Sequence, residues 1–406
     1  MDKNTNLINQ IHKCLLPKLS KGIDETENPI EYEIRLKNLR DNLDKLNILL
    51  NDIDLRECPV SSTILSNIII LYEEIKSTGN WNTEECKEYI KPLDKSFEIL
   101  YGFPLDQILY INIFDKKDIF NVCIKILHEK ITVDSLKKYP SLVEVYSSLV
   151  EKVKEYDVDV NPSTVLPLSL ILMDDYLESN KVKGLRCCSA TLRCLTTEHF
   201  MQGNYYEVIY CSLKKLTAEK NIEITKLVFE CLLQLLQVLP SDAQYLKLED
   251  VYAVILDELY ITSNLYRKAE CFRFTKCIIQ MHGVNCVSRK MFLSIIIDNL
   301  DACTNDAVAD ILLSETLECL ETWIRYCWCI WKLSSDHKVL SILFKVLYTC
   351  KEKCLLSKIQ NLIQTLISLC NVEDQKKIRN SLGISPEMTN TDFIEAVQSI
   401  KNKIVV

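Results

Sequence analysis

The sequence predicts an all-α fold, and three features of its composition indicate this. Of its 406 residues only 7 are glycine and 10 are proline. Because these residues supply most tight turns, a fold of many short strands would lack the turns it needs. Leu, Ile, Lys and Glu are abundant instead, which favours helices. Hydrophobic residues make up 48% of the chain and charged residues 26%, a balance typical of a folded globular protein.

The length predicts several domains or internal repetition. At 406 residues the chain exceeds one ordinary hydrophobic core. We expect an N-terminal helix and linker over residues 1–30, and a divergent helical region over residues 31–156. A regular helical array is expected over residues 163–402. The acidic, proline-containing stretch EYDVDVNPS marks the boundary before this array, because such a composition is typical of linkers.

In the first 156 residues, apolar residues at helical spacing predict a succession of helices. They are expected over residues 8–19, 31–52, 61–76, 82–100, 105–114, 117–129 and 141–156. Ser61, Ser62 and Thr63 offer capping hydroxyls to the third of them. Gly102 and Pro104 end the fourth, because both residue types break helices.

The rest of the chain repeats one pattern, a pair of helices joined by a short turn. After a hairpin over residues 165–195, helices are expected over 205–216, 223–239, 248–264, 266–281, 288–300, 305–333, 336–351 and 354–369, with a terminal pair ending near residue 400. Helices of about 12 to 20 residues, with about 40 residues per pair, are typical of HEAT or armadillo repeats. The sequence therefore predicts an α-solenoid of HEAT/armadillo-like helical hairpins, which acts through its surfaces.

The hairpin over residues 165–195 carries the clearest signs of such a unit. Pro167 has no N–H to donate, so it fits best in the first turn of a helix or at a kink. Asp174 and Asp175 come at the helix C-terminus, where the macrodipole disfavours acids. Basic residues that open the next helix are expected to compensate for them. They are Lys181, Lys183 and Arg186.

Gly184 and Cys187 lie in the second helix of this hairpin. A glycine there costs about 1 kcal/mol relative to alanine, which is tolerable where a neighbouring helix approaches closely. In HEAT arrays, acid–base contacts of this kind run between successive repeats as a ladder. Two interpretations of the hairpin stay open. Its charged residues either form that structural ladder or present an acidic patch to a partner.

A second conspicuous stretch, ETLECLETWIRYCWCIWKL over residues 315–333, holds three of the four tryptophans. On a helix, Trp323, Cys327, Ile330 and Trp331 share one face, whereas Ile324, Tyr326 and Trp328 cover much of the rest. A helix that is apolar all round is buried on several sides. The alternatives are a crowded inner helix and a surface for a partner. The candidate partner-binding residues are Trp323, Tyr326, Trp328 and Trp331.

Signals of catalysis or cofactor binding are scarce. The sequence contains no GxGxxG, Walker or GxSxG motif, and its histidines are far apart. Its 19 cysteines lack the paired CxxC or Cys/His spacing of a zinc site. Most of them are interpreted as reduced thiols that fill helix–helix contacts. We therefore expect a protein that is not an enzyme, with no catalytic site, metal or cofactor.

The charge and hydropathy exclude two further classes of partner. The net charge is −8 and the pI is near 5.4, whereas nucleic-acid binding requires a clustered basic face. No apolar run reaches the roughly 18 to 20 residues that span a bilayer. The N-terminal stretch has no continuous apolar signal core. We expect a soluble, intracellular protein that binds neither nucleic acid nor membrane.

The segment VLPLSLILMDDYLESNKVKGLRCC resembles the hallmark of the Tel-two-interacting protein two family. In that family a leucine-rich helix runs into an acidic pair, and a Lys-x-x-Gly-x-x-Cys stretch follows, here Lys181, Gly184 and Cys187. The continuation YYEVIYCSLKKLTAEKNIEITKLVFECLLQLLQVL is similar to the next hairpin of the family. ETLECLETWIRYCWCIW is similar to a later helix. The resemblance covers roughly residues 160–370.

The resemblance implies a non-catalytic scaffold subunit of the TTT complex, with Tel-two and Tel-two-interacting protein one as its partners. It implies a co-chaperone adaptor that works with the ninety-kilodalton heat-shock chaperone and the R-two-T-P machinery. Their clients are phosphatidylinositol 3-kinase-related kinases, which govern DNA-damage and growth signalling. The resemblance also implies a cytoplasmic and nuclear protein. The alternatives are a HEAT-repeat adaptor of another assembly, either transport receptor-like or a phosphatase scaffold, and an enzyme with an unrecognised site.

Overall fold

The computed structural model describes residues 3–23, 29–196, 198–199, 203–333, 337–383 and 390–404, with the side chains of 332 and 333 left aside. All regular elements in these ranges are helices. The fold class is all-α, built of HEAT/armadillo-like helical hairpins as in an α-solenoid, which confirms the prediction. The chain divides into an N-terminal unit, Met1–Ser212, and a C-terminal unit, Leu213–Val406.

The N-terminal unit contains ten helices among the described residues, and an eleventh crosses the division. They are α1 Lys3–Cys14, α2 Ile30–Asn51, α3 Ser61–Lys76, α4 Glu84–Glu88, α5 Ile90–Tyr101, α6 Lys116–Lys130, α7 Pro140–Glu151, α8 Val153–Tyr156, α9 Pro162–Asp174, α10 Glu178–Leu192 and α11 Tyr205–Leu216. Helix α3 packs against α1, α6 and α7, and α10 packs against α9 and α7. One apolar core therefore runs through the unit, from Leu7 of α1 to Cys187 of α10.

A buried ion pair connects several segments of the N-terminal unit. Arg35 Nε of α2 lies 3.1 Å from Glu74 Oε1 of α3, and both side chains are fully buried. The Glu74 carboxylate also accepts hydrogen bonds from the backbone N–H of Leu16 and from Ser141 Oγ, each at 2.8 Å. A buried carboxylate needs such partners, because its desolvation is expensive. This one carboxylate thus joins α2, α3, α7 and the segment after α1.

The C-terminal unit consists of helices in two layers. They are α12 Ile222–Val238, α13 Ser241–Ile261, α14 Leu265–His282, α15 Met291–Ala302, α16 Asp306–Leu333, α17 Lys338–Thr349, α18 Lys353–Leu369, α19 Val372–Ser381 and α20 Thr391–Lys403. One layer packs in the order α12, α14, α16, α18, and the other in the order α13, α15, α17. The rings of Phe229 and Phe274 stack between α12 and α14, with centroids 4.3 Å apart.

A ladder of ion pairs crosses the first of these layers. The pairs are Lys226–Glu270, Arg273–Glu270, Arg273–Glu315, Lys276–Glu318 and Lys358–Glu318, with nitrogen–oxygen distances between 2.6 and 3.3 Å. Four of them join α12 to α14, α14 to α16, and α16 to α18, and the Arg273–Glu270 pair lies within α14. Because the side chains are partly exposed, each pair contributes about 1 kcal/mol or less. Acid–base contacts of the kind expected of a HEAT array therefore lie between successive helices of this layer, and the ladder predicted for the 165–195 hairpin stays a prediction.

Two predicted elements of the N-terminal unit are wrong in extent. The helix expected over 105–114 is a single 3-10 turn, Leu105–Gln107, followed by irregular backbone. Leu105, Ile108 and Leu109 are buried in the core without regular helix, so tertiary packing decides their conformation. The helix expected over 8–19 ends at Cys14. Pro17 follows shortly after, and a proline disfavours helical backbone in the residue before it.

Candidate functional site

Helix α9 is the first helix of the hallmark hairpin, and it begins about one turn before Pro167. Pro162 occupies the start of the helix, and the Asn161 side chain accepts a hydrogen bond from the Ser163 N–H at 3.0 Å. Pro167 lies inside α9 with an exposed ring. Its missing N–H leaves the carbonyl of Ser163 without an intrahelical donor, but that carbonyl is in the exposed first turn. Water can therefore satisfy that carbonyl, which lowers the cost of the lost hydrogen bond.

Helices α9 and α10 are in backbone contact at Gly184. A Cβ placed on Gly184 would lie 2.6 Å from the Met173 nitrogen and 2.8 Å from the Ser169 oxygen. No side chain larger than hydrogen fits there without separating the helices. The first turn of α9 also contacts α7, because the Tyr146 hydroxyl of α7 donates a hydrogen bond to the Val165 carbonyl at 2.7 Å. Gly184 is thus a packing residue.

The acidic pair of the hairpin has one local partner. Asp175, the residue after α9, accepts a hydrogen bond from Asn180 Nδ2 at 2.5 Å, while Asp174 is exposed. Lys183, expected to compensate these acids, instead pairs with Glu144 of α7 at 2.8 Å. The reason is that α10 packs directly on α7. These contacts place the hairpin in the N-terminal unit, whereas the sequence grouped it with the helices that follow.

The other hallmark residues lie on α10 with different exposures. Lys181 is half-buried, Arg186 is exposed and Cys187 is fully buried. The Cys187 thiol lies 3.8 Å from Ser147 Oγ of α7, and burial raises its pKa well above the ordinary value. A thiol in this state is a structural group and a poor nucleophile. An acidic partner-facing patch at Asp174 stays a prediction.

Helix α16 separates its aromatic residues into two groups. Its backbone departs from helical geometry at Cys327, where φ is −114° and ψ is 17°. Trp323 and Trp331 are only 2% and 1% exposed. Trp331 Nε1 donates to the Leu366 carbonyl of α18 at 2.9 Å, and Trp323 stacks on Phe292 with centroids 5.7 Å apart. Trp323 and Trp331 are therefore core residues, which corrects the prediction that they contact a partner directly.

Tyr326 and Trp328 lie on the exposed side of α16. Tyr326 is 36% exposed and Trp328 is 46% exposed. Tyr326 lies next to Gly283, since its Cδ1 atom would be 3.9 Å from a Cβ on that glycine. The four aromatic candidates therefore do not form one patch. A role in partner binding stays a prediction, and it concerns Tyr326 and Trp328.

A cleft of about 640 Å³ lies between α15, α16 and α17. Its apolar lining consists of Val287, Leu293, Ile297, Trp323, Ile330, Trp331 and Val339. Three cationic side chains, those of Arg289, Lys290 and Lys338, also line it, together with Asp298. Sequence reasoning missed this cleft, because its residues come from three separate helices. The tryptophans of α16 were the one related feature of the sequence, and they were interpreted as signs of a crowded inner helix or of a partner surface.

Two of the histidines have polar partners within the fold. His282 Nε2 lies 3.0 Å from Glu249 Oε2, and His12 Nε2 lies 2.8 Å from Asn67 Oδ1. Burial raises the pKa of the Cys327 thiol to about 12. Among these residues no three His, Cys, Asp or Glu side chains converge as metal ligands. None of the helices described has the length and apolar character needed to cross a membrane.

Comparison with known proteins bears on the resemblance found in the sequence. No family model matches the chain. TELO2-interacting protein 2 of Mus musculus is 26% identical over 125 residues, which is 31% of this chain and 24% of the mouse protein. The Homo sapiens protein is 26% identical and the Rattus norvegicus protein 27% identical over the same length. The resemblance to TELO2-interacting protein 2 is confirmed. The match spans about a quarter of the length of these relatives.

The fold is similar to that of importin beta. A crystal structure of importin beta superposes with a TM-score of 0.50, covering 94% of this chain and 48% of importin beta. The two sequences are only 9% identical, so the likeness concerns the fold alone.

Proposed function

We propose that this protein is a non-catalytic scaffold that binds a TELO2 homologue, and that it is a subunit of a TTT-type co-chaperone complex. The observation that carries the proposal is the match to TELO2-interacting protein 2 from three mammals. Their name states that those proteins interact with TELO2. The helical-hairpin fold supports a binding role, because stacked hairpins present extended surfaces.

The second part of the proposal concerns the assembly. With homologues of Tel-two and Tel-two-interacting protein one, the scaffold would support maturation and stability of phosphatidylinositol 3-kinase-related kinases in the cytoplasm and nucleus. The ninety-kilodalton heat-shock chaperone machinery would act as an indirect partner. Exposed Tyr326 and Trp328 support a protein partner, since aromatic side chains are favoured anchors of interfaces.

The experiment is purification of the tagged chain from its own cells, with quantitative mass spectrometry of what accompanies it. The proposal expects homologues of Tel-two and Tel-two-interacting protein one in near-equal amounts, with kinases of this class at lower abundance. Recovery of transport factors or phosphatase subunits in their place would contradict it. Absence of both expected homologues at low salt would contradict it as well.

A matched pair of variants tests the contact surface. Substitution Trp328→Ala removes an exposed aromatic of α16, and recovery of the TELO2 homologue is expected to fall about tenfold or more, as at an interface anchor. Ile99→Ala, at an exposed position of α5, is the control and is expected to leave recovery unchanged. Equal recovery with both variants would exclude Trp328 from the interface.

A further inference from the structure

Helix α13 has two apolar faces, and the fold covers only one of them. The side chains that it buries in the core include Leu248, Tyr252, Ile255 and Leu259. On the other side of the helix, Leu246 and Tyr260 are each 68% exposed and Ile261 is 67% exposed. A surface helix normally has polar residues on the side away from the core. This outer face of α13 is therefore apolar without being covered by any residue that the structure describes.

The other helices of the same layer show what an ordinary outer face is in this protein. In the middle of α15 the exposed residues include Ser294 and Asp298, and in the middle of α17 they include Ser341 and Lys345. Each of these two helices has one exposed large apolar side chain, at an end, whereas α13 has four. Exposed apolar side chains are ordinary when they are scattered singly, but those of α13 are concentrated on one helix.

The outer face of α13 also has the spacing of a helix-pairing seam. Leu246, Ala253 and Tyr260 recur every seven residues, and Asp250 and Asp257 recur at the same interval beside them. Residues seven apart lie on one side of a helix, two turns from each other. These five residues form the α13 seam, which runs for about 21 Å along the helix. The small side chain of Ala253 at its middle lets a second helix approach closely.

The charge of the α13 seam is negative. Asp250 pairs with Lys214 of α11 at 2.6 Å, whereas Asp257 is exposed and forms no ion pair with the residues that the structure describes. The single cation of α13, Lys247, comes ten residues before Asp257, about 15 Å away along the helix. The C-terminal end of α13 adds a partial negative charge beyond Asp257. Charge complementarity therefore favours an occupant with Lys or Arg beside its apolar residues.

A second copy of this chain fits the α13 seam poorly. Two α13 helices packed antiparallel about Ala253 would bring Leu246 beside Tyr260, but Asp250 of each copy would come beside Asp257 of the other. In a parallel pair, Asp257 would face Asp257. Like charges placed opposite each other across an interface are unfavourable. A partner helix with cations at these positions avoids the repulsion and pairs with the free carboxylate.

We propose that the α13 seam docks an amphipathic helix of a partner protein, with apolar residues at heptad spacing and Lys or Arg beside them. The apolar side chains of that helix lie along Leu246, Ala253 and Tyr260, and one of its cations pairs with Asp257. This inference deepens the proposed scaffold function and rests on it. The α13 seam is thereby a binding surface with a preference for a basic amphipathic helix.

The first test places a photo-crosslinking amino acid at Tyr260, in the full-length chain in its own cells. The control carries it at Ser341, an exposed position of α17 in the same layer. Sequencing of the crosslinked peptide is expected to give, at position 260 only, a segment of another protein with apolar residues at heptad spacing and Lys or Arg beside them. A crosslink to this chain, to a second copy or to a segment without a cation would overturn the proposal, as would no crosslink.

The second test measures the charge requirement, with the crosslinked segment as a synthetic fluorescent peptide. Asp257→Lys is expected to weaken its binding at least about tenfold in fluorescence anisotropy. This variant is expected to fold, since a cation is favourable towards a helix C-terminus, and a thermal melt checks this. Asp134→Lys makes the same charge change at an exposed position after α6, and it is expected to bind as the parent. Equal binding by the two variants would overturn the proposal.

A charge swap completes the second test. A peptide in which Glu replaces the cation that meets Asp257 is expected to bind Asp257→Lys at least about fivefold more tightly than it binds the parent protein. A peptide that binds both proteins equally would show that this carboxylate is not part of the contact, and the proposal would fail.

These tests separate the inference from the proposed function. If the TELO2 homologue co-purifies while position 260 gives no partner crosslink, the scaffold function stands and the α13 seam proposal fails. If the α13 seam captures a basic amphipathic helix while neither expected homologue co-purifies, the docking surface stands and the proposed assembly fails.

Discussion

The hallmark hairpin α9–α10 and the aromatic helix α16 were equally conspicuous in the sequence, yet they use their unusual residues in opposite ways. In the hairpin, Gly184 removes a side chain so that two backbones can touch. In α16, large side chains are distributed between the core and the surface around the break at Cys327. A distinctive segment can therefore mark close packing in one region and an available surface in another.

The physical difference lies in what a substitution would change. Adding one methyl group at Gly184 forces two helices apart, whereas removing a whole indole at Trp328 leaves the core of the unit intact. Stability measurements thus separate the inward residues from the outward ones. Binding measurements then show which of the outward residues meet a partner.

The largest effect is expected for Trp331→Ala in α16. The substitution leaves a cavity in place of a buried indole and removes its hydrogen bond to the Leu366 carbonyl. The free energy of unfolding is expected to fall by about 3 to 5 kcal/mol, measured by denaturant unfolding. Trp331→Phe keeps most of the ring and is expected to cost about 1 to 2 kcal/mol. A loss below about 1 kcal/mol for Trp331→Ala would show that this tryptophan is not a core residue.

Gly184→Ala is expected to rank next and tests the hairpin directly. The new methyl group meets backbone atoms of α9 at 2.6 and 2.8 Å, and backbone moves less readily than a side chain. The expected loss is about 2 to 3 kcal/mol, even though alanine is the better helix former by about 1 kcal/mol. The control is Gly383→Ala, where the added methyl group meets nothing within 4 Å. If the two alanine variants unfold at the same denaturant concentration, α9 and α10 are not in backbone contact.

Tyr146→Phe is expected to have a smaller effect on the same hairpin. The buried hydroxyl of Tyr146 donates to the Val165 carbonyl and lies 2.7 Å from Ser169 Oγ. Its removal leaves a buried acceptor with one donor fewer, at a cost of about 1 to 2 kcal/mol. Tyr110→Phe removes an exposed hydrogen bond to Glu155 and is the comparison, with an expected change below about 0.5 kcal/mol. Equal thermal shifts for the two variants would argue against a role of Tyr146 in holding α9.

The smallest change in stability is expected for Trp328→Ala. Because Trp328 is 46% exposed, its removal is expected to lower the free energy of unfolding by about 1 kcal/mol or less. The melting temperature should therefore be close to that of the parent, while capture of the partner decreases. A large destabilisation would place Trp328 in the core and would remove the contrast between the two sides of α16.

Much of the fold followed from periodicity in the sequence. The helices expected over 61–76 and 205–216 have the same bounds in the structure, Ser61–Lys76 and Tyr205–Leu216. The face of α16 formed by Trp323, Cys327 and Trp331 is buried, because residues three and four apart share one side of a helix. Local patterns of this kind are determined within one helix.

What the sequence did not provide depends on contacts between distant residues. Glu74 is bonded to Arg35 and Ser141, which are 39 and 67 residues away along the chain. Lys183 pairs with Glu144 because α10 packs on α7, a neighbour that the spacing of charges alone does not identify. The cleft is a further case, since three helices create it together. Composition and spacing describe each helix, but they do not tell which helices meet.

The ion-pair ladder across α12, α14, α16 and α18 has a mechanical consequence. Its ion pairs are partly exposed and individually weak, so each adds little to the contact between two helices and no single pair fixes it. At about 0.15 M salt the screening length is about 8 Å, and added salt weakens all the rungs at once while the apolar contacts beneath them persist. Added salt is therefore expected to weaken the contacts between neighbouring hairpins without a change in their helix content.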